Sequence, residues 1–484
     1  MSQIVGQGRD SRWVALVVLC VGMLMIILDG TIVNVALPVI QADLDFTQSG
    51  LAWVINAYLI PFGGLLLLAG RVGDLVGRKR MFLGGIVVFT VASLLCGLAT
   101  TQGLLVVARF VQGIGGAMAA AVILGMIVTM FPEKREQARA IAVFSFVAAA
   151  GGSIGLLAGG VLTEAISWHW IFFVNVPIGL VAFGLATRVV PGERGIGLRG
   201  GADVIGAVLV TAGLMIGVYT IVKAADHGWV SGHTLGFGAL SVALLFGFVV
   251  RQATVAGPLL PLRILRDRNV AGANLIQVLM VAGMFGLFFL GALYLEKVLG
   301  YDPLRIGLAF LPVAVGIGGL SLGASARVNA RFGERSVLIA ALALVAAGLA
   351  LFTRAPVDAD YLVDVFPSVA LMGIGAGLGF PAMMTIAMSD ATKDDSGVAS
   401  GLVNTTQQVG GALGLAVLAT LSTSYTNGSI AEGAAPLQAM TGGFRLAFAV
   451  AAGLVMLAVL LAVIMLRQPK AASEELVPVP VPVG

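Results

Sequence analysis

The sequence predicts an all-α polytopic membrane protein of 14 transmembrane helices, grouped as six, two and six. Three observations carry that prediction. The chain is 59% hydrophobic and only 11% charged over 484 residues, with a mean hydropathy of +1.03, which is more apolar surface than one soluble core encloses. Its apolar residues fall in continuous runs of about 20, the length a helix needs to cross a bilayer. Its lysines and arginines gather in the short segments between alternate runs. An outer-membrane barrel is excluded, because barrel strands alternate polar and apolar residues over about ten positions.

The first run, 13 to 38, follows Arg9 and Arg12 and has no small-residue cleavage site, so it reads as a retained span rather than a signal peptide. Runs at 50 to 69, 81 to 99, 104 to 130, 140 to 162 and 170 to 188 complete a six-helix bundle over 13–190. Two further spans, 203 to 222 and 234 to 250, form an extra pair within 203–252. The last six, at 270 to 295, 304 to 325, 336 to 353, 363 to 387, 397 to 424 and 444 to 466, make a second bundle over 270–467. The tail 468–484, ending LVPVPVPVG, is low in complexity and is expected to be a disordered cytoplasmic segment.

Sidedness follows from counting charge. With the first span running outward, 22 of the 28 lysines and arginines lie on the inner side and five on the outer, leaving Arg109 inside the membrane. This bias places both termini in the cytoplasm and the chain in the cytoplasmic membrane. It also accounts for the pI near 9.2 without a nucleic-acid partner. Cys20 and Cys96 lie within apolar runs and read as packed thiols. The three histidines map to the outer side, too scattered for a metal site, and neither metal nor cofactor is expected.

An internal repeat joins the two bundles. GRVGDLVGRKRMFLGG (70 to 85) and ARVNARFGERSVLIAA (326 to 341) occupy matching inner loops, with Arg71, Val72 and Gly77 aligned on Arg327, Val328 and Gly333, and Asp74 on Ala330. Duplication with an inserted pair gives this pattern, and membrane proteins built from repeats commonly bind small molecules between them.

Two charges remain inside the membrane, Asp29 in the first span and Arg109 in the fourth. Both map to the outer half, close enough in depth to pair directly or through Asn34, Asn56, Tyr58 or Gln112. Two readings stand: a structural ion pair, or a titratable carboxylate on a water-accessible pathway. Burial disfavours a charged carboxylate and a guanidinium favours it, so a motion altering either would make such an acid bind and release a proton. Glycines at four-residue spacing, Gly151, Gly155 and Gly159 with Gly160 beside them, give the fifth span a smooth face, either for static packing or for a hinge. The inner turn carrying Arg71, Asp74, Gly77, Arg78, Lys79 and Arg80 is either a basic anchor or a charge latch against the opposite bundle.

The stretches LDGTIVNVALP (28 to 38), GRVGDLVGRKR (70 to 80), RFVQGIGGA (109 to 117), WHWIFFVNVPIG (168 to 179), YLEKVLGYDPLRIGLAFLP (294 to 312) and GVASGLVNTTQQVGGALG (397 to 414) occur in order along the chain. Together they resemble the fourteen-helix drug/proton antiporters of the major facilitator superfamily. The resemblance implies an alternating-access exporter rather than an enzyme, driven by the proton gradient. In it Asp29 would be protonated, Arg109 would assist proton transfer, and Asp74 with its basic neighbours would steady the outward-open state. Two features depart from that family: Leu156 stands where its fifth-span motif has proline, and the late spans offer Asn404, Thr405, Gln407 and Gln408 where some relatives have acids.

With few acids available, a lipophilic neutral or monocationic compound is the expected substrate, handled by a single chain surrounded by lipid. Candidate cavity residues are Met23, Ile27, Asn34, Asn56, Tyr58, Gln112, Phe144, Phe285, Phe288, Phe289, Phe380, Met384, Asn404 and Gln408. Aromatic and methionine walls repack around varied ligands. A lipid or natural-product translocase on the same fold is the alternative.

Overall fold

The structure, a computed structural model, describes residues 9–192, 195, 197, 202–388 and 396–467. The tail 468–484 lies outside the described residues. Five helices open the chain: α1 (Arg9–Asp43), α2 (Gln48–Val76), α3 (Arg78–Gly97), α4 (Gln102–Met130) and α5 (Lys134–Ala165). The sixth span is broken in two, α6 (Trp170–Phe173) and α7 (Asn175–Val189), with Pro177 in the first turn of α7, where a missing N–H costs nothing. The extra pair is α8 (Val204–His227) and α9 (Gly232–Thr254). Then come α10 (Arg268–Lys297), α11 (Pro303–Gly323), the short loop helix α12 (Ser325–Phe332), α13 (Glu334–Phe352), α14 (Phe366–Met388), α15 (Ser396–Ala431) and α16 (Pro436–Met465). Thirteen spans among the described residues are long and apolar enough to cross a membrane, and the 32-residue α5 occupies the remaining place in the order.

Helix starts coincide with capping side chains. Thr47, Asp203, Ser231, Asp267 and Asp302 each accept from a backbone N–H two or three residues on, satisfying amides a helix leaves orphaned. Asp302 is followed by Pro303 at the first helical position.

The repeat seen in the sequence is a repeat of packing. α1 packs on α5 and α7, α2 on α4, and α3 on α4 and α7; in the second half α10 packs on α15 and α16, α11 on α14, and α13 on α14 and α16. The aligned glycines Gly77 and Gly333 make equivalent turns, at φ of 106° and 78°, each donating its N–H to the residue four before it. A side chain would be strained at either φ.

The halves meet along α2 with α15, α5 with α11, and α1 with α10, a reciprocal arrangement expected of two related bundles. At the end with few lysines and arginines, hereafter the charge-poor end, Gln48 Nε2 donates to Ser422 Oγ at 3.1 Å, and Gly160 lies so near α11 that a β-carbon there would come within 2.9 Å of the Pro303 carbonyl. The halves therefore touch at that end along both the α2–α15 and the α5–α11 seams.

The extra pair is neither isolated in lipid nor part of either bundle. α8 packs on both α2 and α15, while α9 packs on α8. At the basic end Asp203 accepts from Arg251 at 2.5 Å and Gln252 at 2.7 Å, and Gln252 Oε1 accepts from the Leu260 amide at 3.0 Å, clasping the pair to the segment that leads into α10.

Candidate functional site: a buried carboxylate beside an apolar cavity

Asp29 is fully buried on α1, and the surrounding helices present every group it needs to exist as a carboxylate. Arg109 Nη1 of α4 donates to Oδ2 at 2.5 Å. Gln112 Nε2, one turn further along α4, donates to Oδ1 at 2.7 Å, and Asn175 Nδ2 at the start of α7 donates to the same oxygen at 2.9 Å. Ser93 of α3 accepts from Gln112 at 2.7 Å. The spacing of three residues between Arg109 and Gln112 puts both on one face of α4, aimed at α1.

The guanidinium is equally well held. Arg109 Nε donates to the Val54 carbonyl at 2.9 Å, Nη1 also donates to Gln112 Oε1 at 2.8 Å, and the group stacks over the Tyr58 ring at 4.4 Å and near that of Phe172 at 5.6 Å. The two charges cancel, which makes their burial tolerable. Removing either charge in this geometry would leave the other buried without a partner.

Of the groups expected to bridge this pair, Gln112 does so. Tyr58 supplies its ring to Arg109 and its hydroxyl to the Ile26 carbonyl at 3.4 Å. Asn34 donates instead to its own helix, to Gly30 O at 3.2 Å and Thr31 O at 3.1 Å. Asn56 is fully buried, and neither of its amide atoms has a partner among the described residues. Sequence reasoning did not pick out Ser93, Phe172 or Asn175 individually. Asn175 does lie in WHWIFFVNVPIG, where it is the one amide in an apolar run.

On the other face of α1 a cavity of about 200 Å³ lies between the halves. α1 and α5 contribute Gly30, Thr31, Asn34 and Leu156; α10 contributes Val281, Met284, Phe285 and Phe288; α11, α14 and α15 contribute Ala314, Ile317, Phe380 and Gln407. Among the described residues, no charged side chain is in this lining. Asn34, Phe285, Phe288 and Phe380 are thus placed on the cavity as the sequence suggested. Gln408 is not: it packs on Gly63 of α2 in the seam, and Gln407, about 100° around the helix, faces the cavity instead. Phe289 is fully buried in the core. Met23, Ile27, Phe144, Met384 and Asn404 are half-buried outside this lining, with Ile27 packed on Gly151.

The glycine face of α5 fits against α1. A β-carbon at Gly155 would collide with Thr31 Oγ1, and one at Gly159 would come within 2.5 Å of the Ile32 carbonyl, whereas Gly160 faces α11. α15 repeats this on α10, with Gly410 against Val278 and Gly414 against Ala282. At the basic end Asp74 accepts from Arg78 Nε at 3.0 Å, Arg78 Nη1 donates to Gly125 O at 3.2 Å, and Lys79 Nζ to Thr187 O at 2.8 Å. These bonds lie within the first half. Gly77 forms the turn between them, while Arg71 is half-buried and Arg80 exposed.

The chain matches the family model of the Major Facilitator Superfamily over residues 19–415. It is 39% identical to a puromycin resistance protein of Streptomyces alboniger, over 97% of this chain and 94% of that protein. It is 38% identical to a cephamycin export protein of Amycolatopsis lactamdurans, over 88% of this chain and 89% of that one. Among solved structures, a bacterial homologue of the human lysosomal transporter Spinster, in an inward-facing and unoccupied conformation, superposes with a TM-score of 0.66 at 16% identity, covering 94% of this chain and 97% of that one. Two related helical bundles, an extra helix pair beside them, a cavity where the bundles meet, and these matches have one conclusion: the chain belongs to the Major Facilitator Superfamily and is a membrane transporter.

Proposed function

We propose that the protein exports lipophilic small molecules of the antibiotic type across the cytoplasmic membrane, with both termini in the cytoplasm, by exchanging them for protons. The observation that carries this reading is that one helix, α1, presents a buried acid on one face and an uncharged cavity on the other: Asp29 meets Arg109, Gln112 and Asn175, while Gly30, Thr31 and Asn34 line the cavity. A movement of α1 that admits substrate therefore also disturbs the cage around Asp29. Relatives named for puromycin resistance and cephamycin export support the substrate class.

In this reading the charge-poor end faces outward and is closed, and substrate reaches the cavity from the basic end. Rocking of the halves along the α2–α15 and α5–α11 seams opens the outer end, hydrates the cage and lets Asp29 take a proton, which it gives up on return. Asp74, Arg78 and their basic neighbours latch the inner ends while the outer end is open. A single chain suffices and no cofactor takes part. A proton moving down about 100 mV supplies roughly 2.3 kcal/mol and each pH unit about 1.4 more, which sustains a solute gradient of up to several hundredfold.

The test is reconstitution in liposomes with an imposed pH gradient and puromycin as the probe. The wild type moves puromycin uphill; Asp29→Asn binds it and equilibrates it without accumulation. Uphill movement by Asp29→Asn equal to that of the wild type would remove Asp29 from the coupling role.

A further inference from the structure

We propose that Asn34 determines which molecules the cavity accepts, and that it selects aromatic compounds that present an O–H or N–H donor to it over those that present an ether or a carboxylate there. This rests on the export reading and names the substrate class of the same cavity. Asn34 is 5% exposed, yet its Oδ1 has no hydrogen-bond partner among the described residues. Its amide orientation is fixed by chemistry. Two backbone carbonyls, Gly30 O at 3.2 Å and Thr31 O at 3.1 Å, stand opposite the other amide atom and require a donor there, so the nitrogen faces the helix and the oxygen is left over. A buried acceptor without a donor is costly, and a ligand that brings one removes that cost.

The rest of the wall narrows the class. Phe285, Phe288 and Phe380 contribute aromatic side chains to the lining, and Thr31 already donates its hydroxyl to the Ile27 and Leu28 carbonyls. A carboxylate would find no cation in this lining and would meet the Asn34 acceptor. Asp29 is fully buried in its own cage on the opposite face of α1, so it takes no part in contacting the ligand. Recognition and proton binding are thus carried by neighbouring residues of one helix with no shared atom.

The experiment uses the full chain in lipid nanodiscs, with binding corrected for partition into empty discs. Three probes differ at one position: 2-naphthol, 2-methoxynaphthalene and 2-naphthoate. The wild type is expected to bind 2-naphthol about tenfold more tightly than the methyl ether, and 2-naphthoate at least about tenfold more weakly than 2-naphthol. Asn34→Leu is expected to abolish the preference between naphthol and ether while retaining affinity for the ether. Equal binding of naphthol and ether by the wild type, or a preference that survives in Asn34→Leu, overturns the proposal. The wild-type comparison decides it even where Asn34→Leu does not fold. Failure here leaves uphill puromycin export intact, whereas loss of pH-driven export with the naphthol preference retained would overturn the export reading and leave this one standing.

Discussion

Removing Arg109 tests the buried pair directly. In Arg109→Leu the Asp29 carboxylate keeps its donors from Gln112 and Asn175 but loses the 2.5 Å ion pair, while the Val54 carbonyl and Gln112 Oε1 lose the hydrogen bonds Arg109 gave them. Breaking a buried pair on one side costs about 3–5 kcal/mol, because an uncompensated charge is left in a low-dielectric interior. Asp29→Asn strands the opposite charge and should cost a similar amount. The double variant strands neither, so the two changes should be less damaging together than their sum by about 2–3 kcal/mol. The assay is supplied by the protein: Cys20 and Cys96 are both free and buried, so a thiol-reactive dye reports unfolding in detergent as either becomes accessible. Costs that add to within about 0.5 kcal/mol would refute the pairing.

Two further outcomes follow from other parts of the molecule. At Asp203 burial opposes ionisation, but the hydrogen bonds from Arg251, the Gly206 amide and Gln252 and the charge of Arg251 together hold its carboxyl below the ordinary value of 3.8. A depressed carboxylate contributes stability above its ordinary value and loses it as the pH falls through the lowered one. Arg251 is partly exposed, so Arg251→Leu should cost only about 1 kcal/mol at pH 7, and the cost should shrink as the pH falls below 3.8 through the lowered value, read with the same dye. Gly160→Val places side-chain atoms against the Pro303 carbonyl and the Leu304 Cα, wedging α5 from α11. It should reduce disulfide cross-linking of a Gln48→Cys, Ser422→Cys pair, whose parent side chains are hydrogen-bonded at 3.1 Å when the charge-poor end is closed; unchanged cross-linking would show that this contact does not set the closure.

Much of the architecture was legible because bilayer physics leaves few options: a run of about 20 apolar residues is a helix, and loop charge marks alternate ends. The Asp29–Arg109 pair was legible for the same reason, since a charge inside such a run needs a partner. Ser93 and Asn175 were not, because neutral polar residues are common in membrane helices, and which of them faces Asp29 depends on how α3 and α7 rotate about their axes. The same rotation separates Gln407 in the cavity from Gln408 in the seam, a distinction of one residue that periodicity alone does not fix. Asn56 looked like a bridge by depth yet has no partner among the described residues. Nor did the sequence say whether α8 and α9 fill a gap in the lipid or join the halves; α8 does the latter by packing on both α2 and α15.

The account rests on Asp29 exchanging a proton for substrate, and proton release measures that most directly. Purified protein in lightly buffered detergent, at each of a series of pH values, is mixed with puromycin while an indicator dye follows the solution pH. The account predicts proton release on binding by the wild type and none by Asp29→Asn at the same occupancy. Equal release by both proteins, or binding by the wild type with no release at any pH, would contradict it.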